Sequence, residues 1–429
     1  MDAAIERELL DFVAHEARLP DAGRGVAGHP AFSLTAHSFN QETTVKNIFI
    51  RAALAGIAAF AFASGAMAAD LKVGLSVSLS GPNSSLGIPY AKGMQAALAY
   101  KPEIGGHKVQ LIVLDDGSDP TTAGRNARKL IEEDKVDVLM GTSGVPAAIA
   151  MAQVGKELKT PMIGLTPIAL DPADNPWVVT VAQPTQLMVD AVVERMKRNG
   201  VKTVGYIGFS DAWGDLVYDA LNKAAGPAGI KVVSNERYAR ADSSVTGQIL
   251  KIMALRPDAV MTGGAGTPGA LPFLALAERG FEGGVYGQHG LINPDFIRVA
   301  GAAGNNALMP TGPVIVAEQL PADYPTRQIA LDFRQVFQKV NNAPSTDAFS
   351  AYSFDGYLVF ADATARALAT KAEPGTPQFR VALRDAIMST KELVGTHGVY
   401  NFKRGDLYGV DKRARVIVKL DNGQWKLAP

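Results

Sequence analysis

The stretch "DVLMGTSG" at residues 137–144 returns at residues 258–266 as "DAVMTGGAG". Each copy reads as a short buried strand that breaks into a glycine-rich loop. Their surroundings match as well. Val73-Gly74 is answered by Val204-Gly205, and His107-Lys108-Val109 by Ile230-Lys231-Val232. "DPTTAGRNARKL" (119–130) is answered by "DSSVTGQILKI" (242–252). The spacing between copies drifts from 131 to about 121 residues, far too long for a solenoid repeat. It fits two similar domains in tandem.

Each copy alternates strand and helix signals. In the first, strands are expected at 71–77, 109–114, 137–140 and 162–165, with helices at 86–100, 121–133 and 146–158. This is the βαβα pattern of a parallel sheet covered on both faces. Such lobes bind small molecules at the carboxyl ends of their strands. The C-terminal third departs from the pattern. It shows helices near 326–340, 349–369 and 378–388, then strands 414–420 and 424–427 turned at Asp421-Asn422-Gly423. Asn-Gly is a strong hairpin signal.

Upstream of the first copy stands "IRAALAGIAAFAFASGAMAAD" (50–70). Lys46 and Arg51 supply a basic start, and 52–63 is an apolar run too short to span a bilayer. Ala66-Met67-Ala68 is an A-x-A cleavage signal. Residues 45–68 therefore read as a secretory signal peptide, with the mature chain starting near Ala69 or Asp70. The other reading, a core helix, fits poorly with twelve apolar residues that carry no polar stripe. Residues 1–44 show no sustained period. They read as an extension ahead of a true start at Val45.

Composition narrows the function. After residue 68 the chain carries 37 Lys/Arg against 35 Asp/Glu, a net charge of +2. That is no polyanion binder, so nucleic acid is not expected. There is no cysteine, hence no disulfide and no lipid-bearing residue after the leader. The expectation is a monomer free in the periplasm, held together by its core alone.

"LSGPNSSLG" (79–87), "LDDGSDP" (114–120), "TPMIGLTP" (160–167), "GFSDAWGD" (208–215) and "THGVYNF" (396–402) resemble the periplasmic solute-binding proteins of ABC importers. The likeness is to the branched-chain amino-acid-binding group of the type I periplasmic fold, over about 71–427. "RPDAV" (256–260), "GTPGALP" (266–272) and "LVGTHGVYNF" (393–402) resemble a branch associated with aromatic and related organic acids. The resemblance implies an α/β fold of two Rossmann-like lobes with parallel sheets, joined by three crossovers near Thr185, Gly312 and Thr396. The N-terminal lobe would take 70–185 and 313–396, and the C-terminal lobe 186–312 and 397–429. Ligand would lie in the cleft, and the closed form would meet an inner-membrane permease.

The candidate ligand contacts follow from loops at strand ends. Ser84 and Ser85 stand in the first loop. Ser143, Gly144 and Val145 open a helix, whose free N–H groups and partial positive charge suit a carboxylate. The other reading is a turn before a core helix. Thr166 and Ile168 end the next strand, where the family places a contact, although Thr166 could equally cap the backbone. Trp213 suits stacking on a ring, or packing between the lobes. Ala265 and Gly266 sit in a formal G-x-G-x-x-G (264–269). A dinucleotide is not expected there, because Pro268 removes an N–H and no acid ends the next strand. Gln288 and His289 occupy the loop where amino-acid binders need a carboxylate for the substrate ammonium. A buried ammonium without a counter-charge is costly, so this loop favours an acid lacking an amine.

Catalysis finds little footing. His107, His289 and His397 have no metal-ligand spacing, no G-x-S-x-G elbow exists, and Asp115-Asp116 reads as a turn. The expectation is a non-enzymatic importer component that captures an aromatic or α-keto acid, with no cofactor and no metal. The alternatives are a branched-chain or other hydrophobic amino acid as ligand, or a sensing domain acting on a receptor.

Overall fold

The computed structural model describes residues 69–428. The proposed upstream extension (1–44) and signal peptide (45–68) lie outside the described residues.

The chain opens with β1 (Leu71–Val77), α1 (Ser84–Tyr100), β2 (Glu103–Ile104), β3 (His107–Asp115) and α2 (Pro120–Glu132). It continues through β4 (Val138–Gly141), α3 (Val145–Glu157), β5 (Met162–Gly164) and β6 (Val178–Thr180). These strands form one sheet in the order β2-β3-β1-β4-β5-β6, parallel throughout except for the β2–β3 pair. β1 and β4 are buried along almost their whole length. That is why they read as continuous apolar runs and not as alternating ones. α2 shows the start signals plainly: Asp119 caps it by accepting from the Thr122 amide at 2.7 Å, with Pro120 in the first position.

The second half repeats the scheme. It runs through α4 (Thr185–Arg198), β7 (Thr203–Phe209), α5 (Ala212–Ala225), β8 (Lys231–Tyr238) and α6 (Thr246–Ala254). Then come β9 (Ala259–Gly263), α7 (Leu271–Glu278), β10 (Gly284–Tyr286), α8 (Pro294–Ala300) and β11 (Leu308–Thr311). Next are α9 (Arg327–Asn341), α10 (Phe349–Leu368), α11 (Pro377–Ile387), the small β12 (Leu393–Val394) and β13 (Val399–Tyr400) pair, and a closing β14 (Val416–Asp421) and β15 (Gln424–Leu427). The second sheet runs β15-β14-β11-β10-β9-β7-β8. α9 and α10 pack back on α1 of the first half.

In both sheets the parallel strands follow the order second, first, third, fourth, fifth. This is the doubly wound arrangement in which a crevice opens where the order reverses, at the carboxyl ends of the strands. The fold is thus two such lobes. The parallel core of each sheet agrees with the expectation, and antiparallel strands are added only at one edge of each. β14 joins β11 antiparallel after the chain has passed through three helices, and β15 joins β14 antiparallel through a hairpin turn. Asn422 and Gly423 both hold positive φ (48° and 78°), as that two-residue turn requires. β14 also starts later than expected. Asp411 accepts from the Arg413 amide and winds 412–414 into a short helical turn.

No helix among the described residues is long and apolar enough to cross a membrane. Among them, no group of three or more acids and histidines could hold a metal ion.

Candidate functional site

The carboxyl ends of the two sheets face one narrow cavity, with room of about 20 Å³ in the arrangement seen here. Its first-lobe wall comes from Ser143, Gly144 and Val145 at the start of α3, and from Leu165 and Thr166 after β5. The second-lobe wall is Trp213 on α5, Arg240 after β8, Ala265 after β9 and His289 after β10. Tyr90 on α1, with Phe349 and Tyr352 on α10, closes an aromatic side.

The polar groups divide in two. At the α3 end the Ser143 hydroxyl oxygen accepts from the Ser78 amide at 2.9 Å, which leaves its own O–H to donate. The first amides of α3 lie beside it without partners in the helix. The Thr166 hydroxyl makes no hydrogen bond to the described residues, although the Thr166 carbonyl accepts from Thr180 at 2.9 Å. Asp115 and Asp116 set this end in place, as the turn reading expected. Asp115 accepts from the Leu79 and Gly117 amides, and buried Asp116 from the hydroxyls of Ser78 and Thr142.

At the opposite end stands Arg240, which the sequence reading did not single out. Its Nε donates to Asp211 at 2.6 Å and its Nη1 to Asn83 at 2.9 Å. The guanidinium lies 4.1 Å from the centre of the Phe209 ring. Asp211 in turn caps α5 through the amides of Trp213 and Gly214. Asn83 belongs to the other lobe, so this hydrogen bond spans the cleft. A second spanning bond runs from the Thr267 amide to the Ser85 hydroxyl at 3.1 Å.

His289 meets Trp213 edge-on, with ring centres 5.3 Å apart. Its Nδ1 is buried without a hydrogen-bond partner among the described residues, and so are both amide atoms of Gln288. Burial pushes the His289 imidazole down to about 4, so the ring is neutral near pH 7.

Seven of the twelve expected contacts line the cavity: Ser143, Gly144, Val145, Thr166, Trp213, Ala265 and His289. The other five do not. Ser84 only starts α1. Ser85 bridges the lobes, and the Gly266 amide is taken by the Gly290 carbonyl. Ile168 turns into a separate apolar cluster, its amide and carbonyl both held by the Tyr408 hydroxyl. Gln288 is buried behind His289. After Gly266 the chain makes a short 3-10 turn, Thr267–Ala270, before α7. The G-x-G-x-x-G stretch therefore does not run straight into an α-helix as a dinucleotide site requires.

Acid stability follows from the buried histidines. In the unfolded chain they titrate near 6.5; folded, burial holds His289 at about 4 and His397 at about 3. The unfolded chain therefore binds more protons in that window, and stability present above about pH 6.5 is lost as pH falls. Buried Asp355 works the other way. Burial raises it from 3.8 to about 6, so its contribution is present below about 3.8 and lost as pH rises through 6. Burial also raises Asp137 and Asp347, which act in the same direction as Asp355; the larger shifts of the two histidines set the sign, and the melting temperature should drop between pH 6.5 and 4.5. Melts of His289→Gln should show a shallower drop, removing about 3 kcal/mol of pH-dependent stability. An unchanged slope would mean that His289 is protonated in the folded protein.

Comparison with known proteins agrees with this architecture. An extracellular ligand-binding receptor from Rhodopseudomonas palustris superposes with a TM-score of 0.81 at 40% identity, covering 84% of this chain and all of that one. A solute-binding protein of an ABC transporter from the same species, solved with benzoate, shares the fold with a TM-score of 0.71 at 22% identity, covering 83% of this chain and 95% of its own. Leu/Ile/Val-binding protein homolog 3 of Brucella melitensis is 26% identical over 271 residues, 61% of this chain and 72% of that protein. The family model for periplasmic binding proteins matches residues 70–406. With its paired doubly wound lobes and a cavity between their strand ends, the chain belongs to the periplasmic binding protein family.

Proposed function

We propose that the cavity captures a small organic acid without an amine, aromatic or α-keto, and that the protein delivers it to an ABC permease of the inner membrane. The lobes that close on it comprise 70–185 with 313–396, and 186–312 with 397–429.

One observation carries the reading. The cavity wall holds a cation, Arg240, and no aspartate or glutamate. An α-amino acid would bring an ammonium into a place with no counter-charge, a cost that binding must overcome. A carboxylate finds hydroxyls and helix amides at one end and a guanidinium at the other. The aromatic wall of Tyr90, Trp213, Phe349 and Tyr352 suits a flat apolar body. The benzoate held by the Rhodopseudomonas palustris protein supports an aryl acid. The Leu/Ile/Val-binding relative supports the second reading, a hydrophobic amino acid.

His289→Glu tests the charge argument. The new carboxylate should cut affinity for benzoate about tenfold or more and improve that for phenylalanine. Isothermal titration of both ligands against both proteins reads this directly. An unaltered preference would show that charge at this loop does not select the ligand.

A further inference from the structure

The three passages between the lobes converge on one buried cluster, and that cluster shares a residue with the cavity wall. Gln183 lies in the first passage, between β6 and α4. Gly312 lies in the second, after β11. Thr396 and His397 lie in the third, between β12 and β13. All four are buried, and each touches the start of α10 or a residue that does.

The contacts form a directed chain. Tyr352 lines the cavity, and its hydroxyl donates to Gln183 Oε1. Gln183 Nε2 donates to the Ala414 carbonyl at 3.0 Å and lies 3.5 Å from His397 Nδ1. His397 Nε2 is 2.9 Å from the Ala348 carbonyl, an acceptor only, so Nε2 carries the proton. Nδ1 is then a bare acceptor facing Gln183, which agrees with burial keeping this ring neutral. The Tyr352 ring stacks on His397 with centres 3.8 Å apart and planes 13° apart. The amides of Thr396 and His397 both donate to Asp355, one turn further along α10. Gly312 completes the set. A side chain there would bring its Cβ to 1.8 Å from His397 Nδ1, so the second passage lies directly against the same ring.

We infer that Tyr352 is a positioning residue that ties the cavity wall to the hinge: its hydroxyl, through Gln183 and His397, holds all three passages in the arrangement seen here. It rests on the cavity being the ligand site only for its consequence, that an occupant pressing on Tyr352 biases the hinge. The tie itself is a property of the free protein.

Amide hydrogen exchange of ligand-free full-length protein tests it. Tyr352→Phe keeps the ring in the cavity wall and removes only the bond to Gln183. Exchange at Ala182, Thr396 and His397 should rise about tenfold, the scale of one lost hydrogen bond. Amides of β4 and β9 should be unmoved. Tyr90→Phe is the matched control. It also removes the hydroxyl of a buried cavity tyrosine, one that donates to the Leu165 carbonyl at 2.7 Å, away from the passages. Gln183→Leu removes the same bond together with the one to the Ala414 carbonyl, so the double variant should exchange no faster than Gln183→Leu alone. The inference is overturned by unchanged exchange at the passages in Tyr352→Phe, by an equal rise there in Tyr90→Phe, or by additive effects in the double variant. Failure of benzoate to bind the wild-type protein would count against the ligand assignment and leave these outcomes readable.

Discussion

Replacing Arg240 with methionine should lower affinity for an aryl carboxylate about a hundredfold. The guanidinium is the cation of the cavity wall, and it is fixed in place by Asp211, by Asn83 and by the Phe209 face. Its two described donors are Nε and Nη1, which leaves the remaining edge of the fork for a ligand oxygen. A hydrogen bond to a charged group contributes about 1.5–3 kcal/mol, and cutting one partner from a buried charge pair costs about 2–5 kcal/mol. Arg240→Lys keeps the charge and loses the fork, so it should fall between, about tenfold weaker. The Asn83 bond adds a second effect: losing Arg240 also removes a bond that spans the cleft, so dissociation should quicken more than association slows. Stopped-flow and titration measurements on both variants check this. Unchanged affinity in Arg240→Met would place the carboxylate at the α3 end alone.

Gly93→Ala should destabilise the protein by about 3 kcal/mol, at the upper end for an added methyl in a packed core. Gly93 is where α1 crosses α10. A Cβ on it would lie 1.9 Å from the Ser350 carbonyl oxygen and 2.6 Å from the Ser350 Cα. Those atoms are backbone and cannot rotate aside, so the helices must part. Parting them moves Phe349 and Tyr352, the neighbours of Ser350, away from the cavity. The variant that still folds should therefore also bind more weakly than its stability alone would require. Denaturant melts give the first number and titration the second. A variant as stable as wild type would mean the crossing is looser than the structure shows.

The duplication was legible because its signal is the simplest one physics writes. Strands buried on both faces are apolar without alternation, and the loops that follow them are rich in glycine. "DVLMGTSG" and "DAVMTGGAG" show both, and they became β4 and β9 with the loops that carry Ser143 and Ala265 into the cavity. The α3 end of the site was legible for the same reason: it lies at the end of a strand, and its hydroxyl and amides are local features. Arg240 was missed. It stands among charged neighbours, Arg237 and Asp242, in a loop that looks solvated. The usable signal was its position just past β8, at a carboxyl strand end of a doubly wound lobe. The aromatic wall was illegible for another reason. "FSAYSFDGYLVF" (349–360) is apolar on nearly every face, so periodicity cannot say that Phe349 and Tyr352 reach the cavity while Phe354 packs on Phe333. Ile168 erred in the opposite sense, since a strand-end position does not fix which way a side chain turns.

Thermal melts with a ligand panel decide whether the cavity takes an acid without an amine. The panel sets benzoate, other aryl carboxylates and α-keto acids against leucine, valine and phenylalanine. A ligand at about 100 times its Kd adds roughly 2.7 kcal/mol, which moves the melt by several degrees. The melt should shift with aryl or keto acids and not with the amino acids. A shift with leucine, valine or phenylalanine alone would contradict it.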